Sequence, residues 1–299
     1  MTYSIIARDP DTGQMGVAVQ TFNFATGTWV PWAEGGVGAV ATQALADRRY
    51  GFMGLDLMRG GLAAEAALRA LLADDDGRDF RQVSMLDRHG GIATHTGARC
   101  FPHAGSYQGA TFCTQANMMA RGTVWGAMAA AFEAARGDLA ERILAAMDAA
   151  QAEGGDLRGQ QTAALLIVDR EPVRVPLVDI RVDHHPRPLD ELRRMLRLHR
   201  AYSAEGAVAE VVAAGDLNAA QTLLDRIGAL APDEPYLQYL RALHLAAWLD
   251  AEAEALDILR GLIAARPVWR EYLAREAAVD NFGVAGLGAR LLAALDRRD

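Results

Sequence analysis

Thr2 stands directly behind the initiator in "MTYSIIARDP", at the start of an alternating run. A hydroxyl is a poor nucleophile at neutral pH unless a base takes its proton. An α-amino group titrates at roughly 7.7–8.0, so a terminal threonine carries a usable base on itself. Methionine aminopeptidase generally accepts small second residues, and loss of Met1 would expose that amine. The alternative is that Thr after Met carries no message. Other polar groups close apolar runs: Gln20 and Thr21 end "MGVAVQT", and Thr42 and Gln43 end "VGAVATQ". The loop "GGDLRGQQTAAL" adds Asp156, Arg158, Gln160 and Gln161 ahead of another apolar run. After two glycines Asp156 also reads as an ordinary Asx turn.

Three further groups have chemistry to offer. Asp183, His184 and His185, with His199 beyond, have metal-ligand types, but neighbours in an extended segment point apart, so at most one of the two histidines joins Asp183. A packed or solvated linker explains them as well, and no metal or other cofactor is expected. His95 and His103 read as strand-edge or loop residues, or as pocket lining. Cys113 and Gln115 share a strand face with Thr111, toward either a cleft or the core. Cys100 and Cys113 have neither metal spacing nor disulfide density, so structural thiols are expected.

Elements must hold these groups in place, and composition bounds them. The 299 residues are 51% hydrophobic, enough for a sizeable core. The formal charge of −8 argues against nucleic acid and anionic membranes as partners. All thirty basic residues are Arg; the chain has no Lys. The start lacks the pattern of a signal peptide and no apolar run is long enough to span a bilayer, which implies a cytoplasmic setting.

Alternation predicts strands over "TYSIIAR" and "QMGVAVQTF", joined by the turn "DPDTG", then over "GTWVPW" and "VGAVATQ". Helices follow over about 50–59 and 62–73. Strands return at "FRQVSMLD", "IATHTG" and "ATFCTQAN", with a short one at "GSYQG". Helices over about 121–136 and 138–153 meet at Gly137-Asp138, where Gly stops one and Asp caps the next. "TAALLIVD" and "VRVPLVDI" complete the series. Strands and helices come in blocks, which predicts two antiparallel sheets face to face, each covered by a helix pair: an α+β, four-layer αββα sandwich.

Beyond "VDIRVDHHPRPLDELRRMLRLH" the composition turns helical. "AAQTLLDRIGALAP" and "AEALDILRGLIAARP" match at a shift of about 35 residues, pairing Ala220 with Ala255, Leu224 with Leu259 and Pro232 with Pro267. The tail therefore resembles tetratricopeptide-type helical hairpins. The expected division is 1–190 for the sandwich, 191–204 for a linker helix and 205–299 for an all-α helical-repeat domain. A tail of this kind pairs with itself, captures a protein partner, or simply stabilises the first domain.

Block order αββα with a first strand opening on a hydroxyl residue is similar to N-terminal-nucleophile (Ntn) hydrolases, including proteasome subunits. The segments "TYSIIARDPDTGQMGVAVQ", "GVGAVATQA", "GGDLRGQQTAALLIV" and "VDIRVDHHPRPLDELRRMLRLH" closely resemble the family catalogued as domain of unknown function 1028, itself assigned to that superfamily. The resemblance covers residues 1 to about 200. It implies Thr2 as nucleophile, with Asp156 orienting the terminal amine. Thr42, Gln43 and Ala44 lie at a corner whose backbone N–H groups can form an oxyanion hole, each donor contributing roughly 3 kcal/mol, or else cap the next helix. Gln20, Thr21, Arg158, Gln160 and Gln161 are the expected substrate contacts. The pattern departs from proteasome subunits where Gln20-Thr21 replaces an acid and where a tuning Lys has no counterpart. Two functions follow: an amidohydrolase acting on a small amide or peptide bond, or a noncatalytic ligand-binding or assembly platform.

Overall fold

The computed structural model describes residues 2–280 and 282–297. Two compact units divide between Met195 and Leu196. The first is mixed α and β. Its strands are β1 (Thr2–Arg8), β2 (Met15–Thr21), β3 (Pro31–Glu34), β4 (Gly38–Ala44), β5 (Arg81–Asp87), β6 (Ile92–Thr96), β7 (Gly105–Gln108), β8 (Phe112–Asn117), β9 (Thr162–Val168) and β10 (Val178–Val182). Its helices are α1 (Arg49–Arg59), α2 (Ala64–Ala73), α3 (Val124–Ala134) and α4 (Leu139–Ala152). One sheet runs β10-β9-β2-β1-β8-β7 and the other β3-β4-β5-β6, and neighbouring strands in both pair antiparallel.

Side-chain alternation sorts these strands into layers. Ile6, Val17, Val19, Ala41, Leu86 and Cys113 come from both sheets and form one buried cluster between them. Val40, Val83 and Met85 point the other way and pack with Tyr50, Leu55 and Leu68 of α1 and α2. On the outer face of the larger sheet, Tyr3 reaches Gln151 of α4 at 3.2 Å and Thr114 bonds the Trp125 carbonyl of α3 at 2.8 Å. Close approach needs glycine here: a Cβ on Gly51 would sit 2.3 Å from Trp32, and one on Gly16 would sit 2.7 Å from Ile143.

Local chemistry sets the boundaries. Asp9 Oδ1 accepts the N–H groups of Asp11 and Thr12 at 2.9 Å, closing the β1–β2 turn before Gly13 at φ +75°. Asp138 caps α4 by accepting the Glu141 N–H at 3.0 Å. Two expected strands are shorter than their sequence signal. In "GTWVPW", Thr26–Thr28 is a 3-10 turn, stabilised by the Thr28 hydroxyl donating to Ala25 O at 3.0 Å, and strand starts only at Pro31. In "VRVPLVDI", β10 begins at Val178 because Pro176 has no N–H for a ladder.

One buried ion pair braces the smaller sheet. Arg81 Nε donates to Asp75 Oδ2 at 2.9 Å, Tyr50 OH donates to the same oxygen at 2.9 Å, and Arg81 also holds the Leu45 carbonyl at 2.7 Å. The Arg81 hydrogen bond pulls the Asp75 carboxyl down to about 2 against its burial. A lowered folded pKa stabilises above the unfolded value of roughly 3.9, and that contribution disappears as pH falls through the folded value. Asp75→Asn is therefore expected to cost about 2–3 kcal/mol at neutral pH. The gap in melting temperature from wild type should close between about pH 4 and pH 2. A constant gap across that range would show that the carboxylate charge is not the stabilising feature.

The second unit is all-helical. Helix α5 (Pro188–Ala213) is continuous through the expected 191–204 linker, and its later turns belong here with α6 (Leu217–Leu230), α7 (Pro235–Trp248), α8 (Glu252–Ala265), α9 (Val268–Val279) and α10 (Leu287–Leu295). Gly215 at φ +79° ends α5, and Asp216 caps α6 by accepting the Ala219 N–H. Ala220, Ala255, Leu224 and Leu259 are all fully buried, so the residues paired by the internal shift occupy equivalent environments. Pro232 and Pro267 each follow the end of a helix, α6 and α8. Among the described residues no helix is long and apolar enough to cross a membrane.

Candidate functional site

Thr2 opens β1, pairs with Asn117 of β8 and is 4% exposed. Its hydroxyl donates to Thr21 Oγ1 at 3.2 Å, and Thr21 pairs in turn with Thr162 at the start of β9. Three threonines thus stand side by side on adjacent strands, at the end of the sandwich where β1 and β9 begin and β2, β4 and β8 finish.

Beneath Thr2 lies a network of uncharged amides between the sheets. Gln43 Nε2 donates to the Thr2 carbonyl at 3.2 Å and to Gln82 Oε1 at 2.7 Å, while Gln43 Oε1 accepts from Ser4 Oγ at 2.7 Å. Gln115 Nε2 donates to Ser4 Oγ at 3.2 Å and to Ala41 O at 3.1 Å. Gln82 Oε1 also accepts from Asn117 Nδ2 at 3.0 Å, and Gln82 Nε2 reaches Ala116 O, Thr96 Oγ1 and Gly105 O at 2.9, 3.0 and 3.2 Å. Amides suit this position because each carries both donors and acceptors, so a buried layer can be satisfied without charge.

Asp156, 3% exposed, lies beside the same corner. Its carboxylate accepts the Phe22 N–H at 3.0 Å and the Arg158 N–H at 2.9 Å, and pairs with the Arg158 guanidinium at 3.2 Å. It therefore grips the chain one residue beyond Thr21. Burial first, then Asp148 and Asp156, push the Tyr3 phenol up. Arg158 also lies over the Phe22 ring, 5.7 Å from its centre. The Gln161 N–H donates to Thr21 O at 3.2 Å, and its side chain meets His184 Nδ1 at 2.9 Å. Gln160 is half-buried in this loop, and among the described residues no side-chain bond ties it to the cluster.

Two other expected site residues point elsewhere. Gln20 lies opposite Tyr3 on the helix-covered face, one residue out of step with Thr21, and its amide has no partner among the described residues. Thr42 faces α1 and donates to the Asp47 carbonyl at 3.2 Å, whereas Asp47 itself accepts the Arg49 N–H at the helix entry. Strand alternation separates each pair: Thr21 and Gln43 turn between the sheets, Gln20 and Thr42 away.

Backbone strain gathers at this end. Among the described residues of the first unit, Ala25, Ala44, His103 and Met118 are the non-glycine residues at positive φ, at 53°, 68°, 55° and 56°. Each costs about 1–2 kcal/mol relative to ordinary backbone. Ala44 follows Gln43, Met118 follows Asn117, and His103 is tied to Met119 by backbone and ring hydrogen bonds of 3.3 and 3.0 Å. Met119 in turn bridges Asp156.

Sequence reasoning missed Ser4, Gln82 and Asn117. Their signal was present as amide and hydroxyl residues inside otherwise apolar strands, in "TYSIIAR", "FRQVSMLD" and "ATFCTQAN". Cys113 is inert in this setting, since burial pushes its thiol up to about 12. At the opposite strand ends a cavity of about 450 Å³ is lined by Glu34, Arg59, Val168, Pro172 and Arg174, with Arg59 paired to Glu34.

A family model described as "Family of unknown function (DUF1028)" matches residues 2–192. The chain belongs to this DUF1028 family. Its DUF1028 region takes in every residue of the threonine and amide cluster. Among solved structures, the crystal structure of protein SPO2555 from Silicibacter pomeroyi, described by the same family, is similar at 33% identity and a TM-score of 0.60, over 66% of this chain and 88% of that one. No curated protein matches the chain.

Proposed function

We propose that the DUF1028 unit is an Ntn-type amidohydrolase that cleaves a small amide or peptide bond with Thr2 after removal of Met1. The observation that carries this reading is the placement of Thr2: a strand-opening hydroxyl held by Thr21, with its carbonyl fixed by Gln43, at the strained end of the sandwich. Two helix-covered antiparallel sheets are the layering that an Ntn hydrolase would need, and strained backbone collects at functional sites; both support this reading. Met1 itself lies outside the described residues.

The chemistry runs in two steps. The Thr2 hydroxyl attacks the amide carbon while the Thr2 amine takes its proton and passes it to the leaving nitrogen; the C–N bond breaks and an ester to Thr2 remains. Water then attacks the ester, the amine again takes the proton, and the acid leaves as Thr2 regains its hydrogen. The Ala44 corner supplies the oxyanion donor. Phe22, Leu45 and Leu157, all exposed, directly follow Thr21, Ala44 and Asp156, so the substrate carries apolar groups beside its amide. Unpaired Cys100 and Cys113 accord with a reducing cytoplasm.

One observation favours the alternative of a noncatalytic platform. Both Asp156 oxygens are engaged by Phe22 and Arg158, as expected of a clamp for the loop after β2. Intact mass measurement on protein from its native source separates the two: the hydrolase reading expects a mature chain beginning at Thr2, and a chain that keeps Met1 throughout removes the amine base and with it this mechanism.

A further inference from the structure

The helical unit holds four of the seven tyrosines of the chain, Tyr202, Tyr236, Tyr239 and Tyr272, and they gather across α5, α7 and α9. Tyr236 and Tyr272 have ring centres 6.4 Å apart at 82°, and Tyr272 meets Tyr239 at 5.1 Å and 74° and Trp269 at 5.9 Å and 81°. Tyr239 is buried and stacks on Trp269 at 5.5 Å, anchoring the group. The other three rings are about 40% exposed: 41% for Tyr202, 39% for Tyr236 and 41% for Tyr272. Perpendicular aromatic rings make a corner, and the face of each ring attracts a cation.

The three carboxylates around this corner have no arginine partner among the described residues, whereas several others on the unit do. Glu276 accepts from the Tyr239 hydroxyl, Glu205 meets His244 Nε2 at 3.2 Å, and Glu234 lies beside the Tyr202 hydroxyl. By contrast Arg241 pairs with Glu254, Arg270 with Asp296, Arg275 with Glu271 and Arg290 with Glu252. Among the described residues no arginine reaches Glu205, Glu234 or Glu276. His244 is itself 6% exposed, with Nδ1 unpartnered. Exposed rings and half-buried acids without an arginine partner are complementary to a guanidinium, which stacks on the one and bonds the other in its plane.

We propose that this face binds an extended, arginine-bearing segment of a partner protein, with guanidinium groups against Tyr202, Tyr236 and Tyr272 and paired to Glu205, Glu234 and Glu276. Arginine is preferred over lysine because only the planar group can stack and bond at once. The surface belongs to the helical unit alone and does not depend on chemistry at Thr2.

The test is fluorescence anisotropy on the full chain with a labelled eight-residue peptide of alternating Arg and Gly. The same peptide with citrulline for Arg removes charge at constant shape, and one with Lys keeps charge without the plane. The arginine peptide should bind at least about tenfold tighter than the citrulline peptide, and Tyr236→Leu with Tyr272→Leu should lower its affinity by about tenfold. Because that pair of changes can disturb packing, a Glu205→Gln, Glu234→Gln, Glu276→Gln variant provides a second arm. It should lose binding, while Glu210→Gln, Asp225→Asn, Asp257→Asn, an equal charge change outside the cluster, should not. Equal affinity for the citrulline peptide, or equal loss in both charge variants, would overturn the proposal in favour of nonspecific attraction to an acidic protein.

Discussion

Thr2→Ala is expected to abolish hydrolysis of a responsive amide, lowering turnover by about 10⁴-fold or more, as removal of a nucleophile does elsewhere. Stability should hardly follow. The bond from the Thr2 hydroxyl to Thr21 Oγ1 at 3.2 Å is worth about 1 kcal/mol, or a few degrees of melting temperature in a domain of this size. Thr2→Ser keeps both hydroxyl and amine and should retain part of the rate. A panel of short peptides, acyl-amino acids and small amides, turned over by wild type and tested on both variants, measures this. Equal turnover by wild type and Thr2→Ala would reject Thr2 as nucleophile. Turnover by neither, with a ligand detected by thermal shift, would favour the binding-platform reading.

The largest loss of stability is expected at Gln82. It is fully buried, accepts from Gln43 and Asn117, and donates toward Ala116, Thr96 and Gly105, joining β4, β6, β7 and β8 through one side chain. Gln82→Ala leaves those partners buried without bonds, each at about 1–3 kcal/mol if nothing relaxes, so a net loss of about 4 kcal/mol is expected. Urea unfolding of both proteins gives the value. A loss below about 1 kcal/mol would mean that water or rearranged amides replace Gln82. Since Gln43 also fixes the Thr2 carbonyl, Gln82→Ala should loosen the first residue of β1 as well as the sheet contact.

What was readable along the chain is what local periodicity controls. Alternation placed β1 and β2, Pro10 and Gly13 marked their turn, Asp138 marked the start of α4, and the shift pairing Leu224 with Leu259 marked equivalent buried positions in the helical unit. Two strands failed where a local bond outweighed pattern: a hydroxyl turn at Thr28, and a missing donor at Pro176. The clustering at Thr2 depended on three-dimensional packing. Thr2, Thr21, Gln43 and Asp156 are far apart in sequence and meet only because β1 lies between β2 and β8 and against β4. The face of each strand was equally beyond local reading. In a sheet with one wet face, polarity tells inside from outside; here β2 is buried along its whole length on both faces, between the other sheet and the helices. With both faces buried, Gln20 and Thr21, or Thr42 and Gln43, look alike in sequence. Only the packing of sheet on sheet decided which of each pair joined the site.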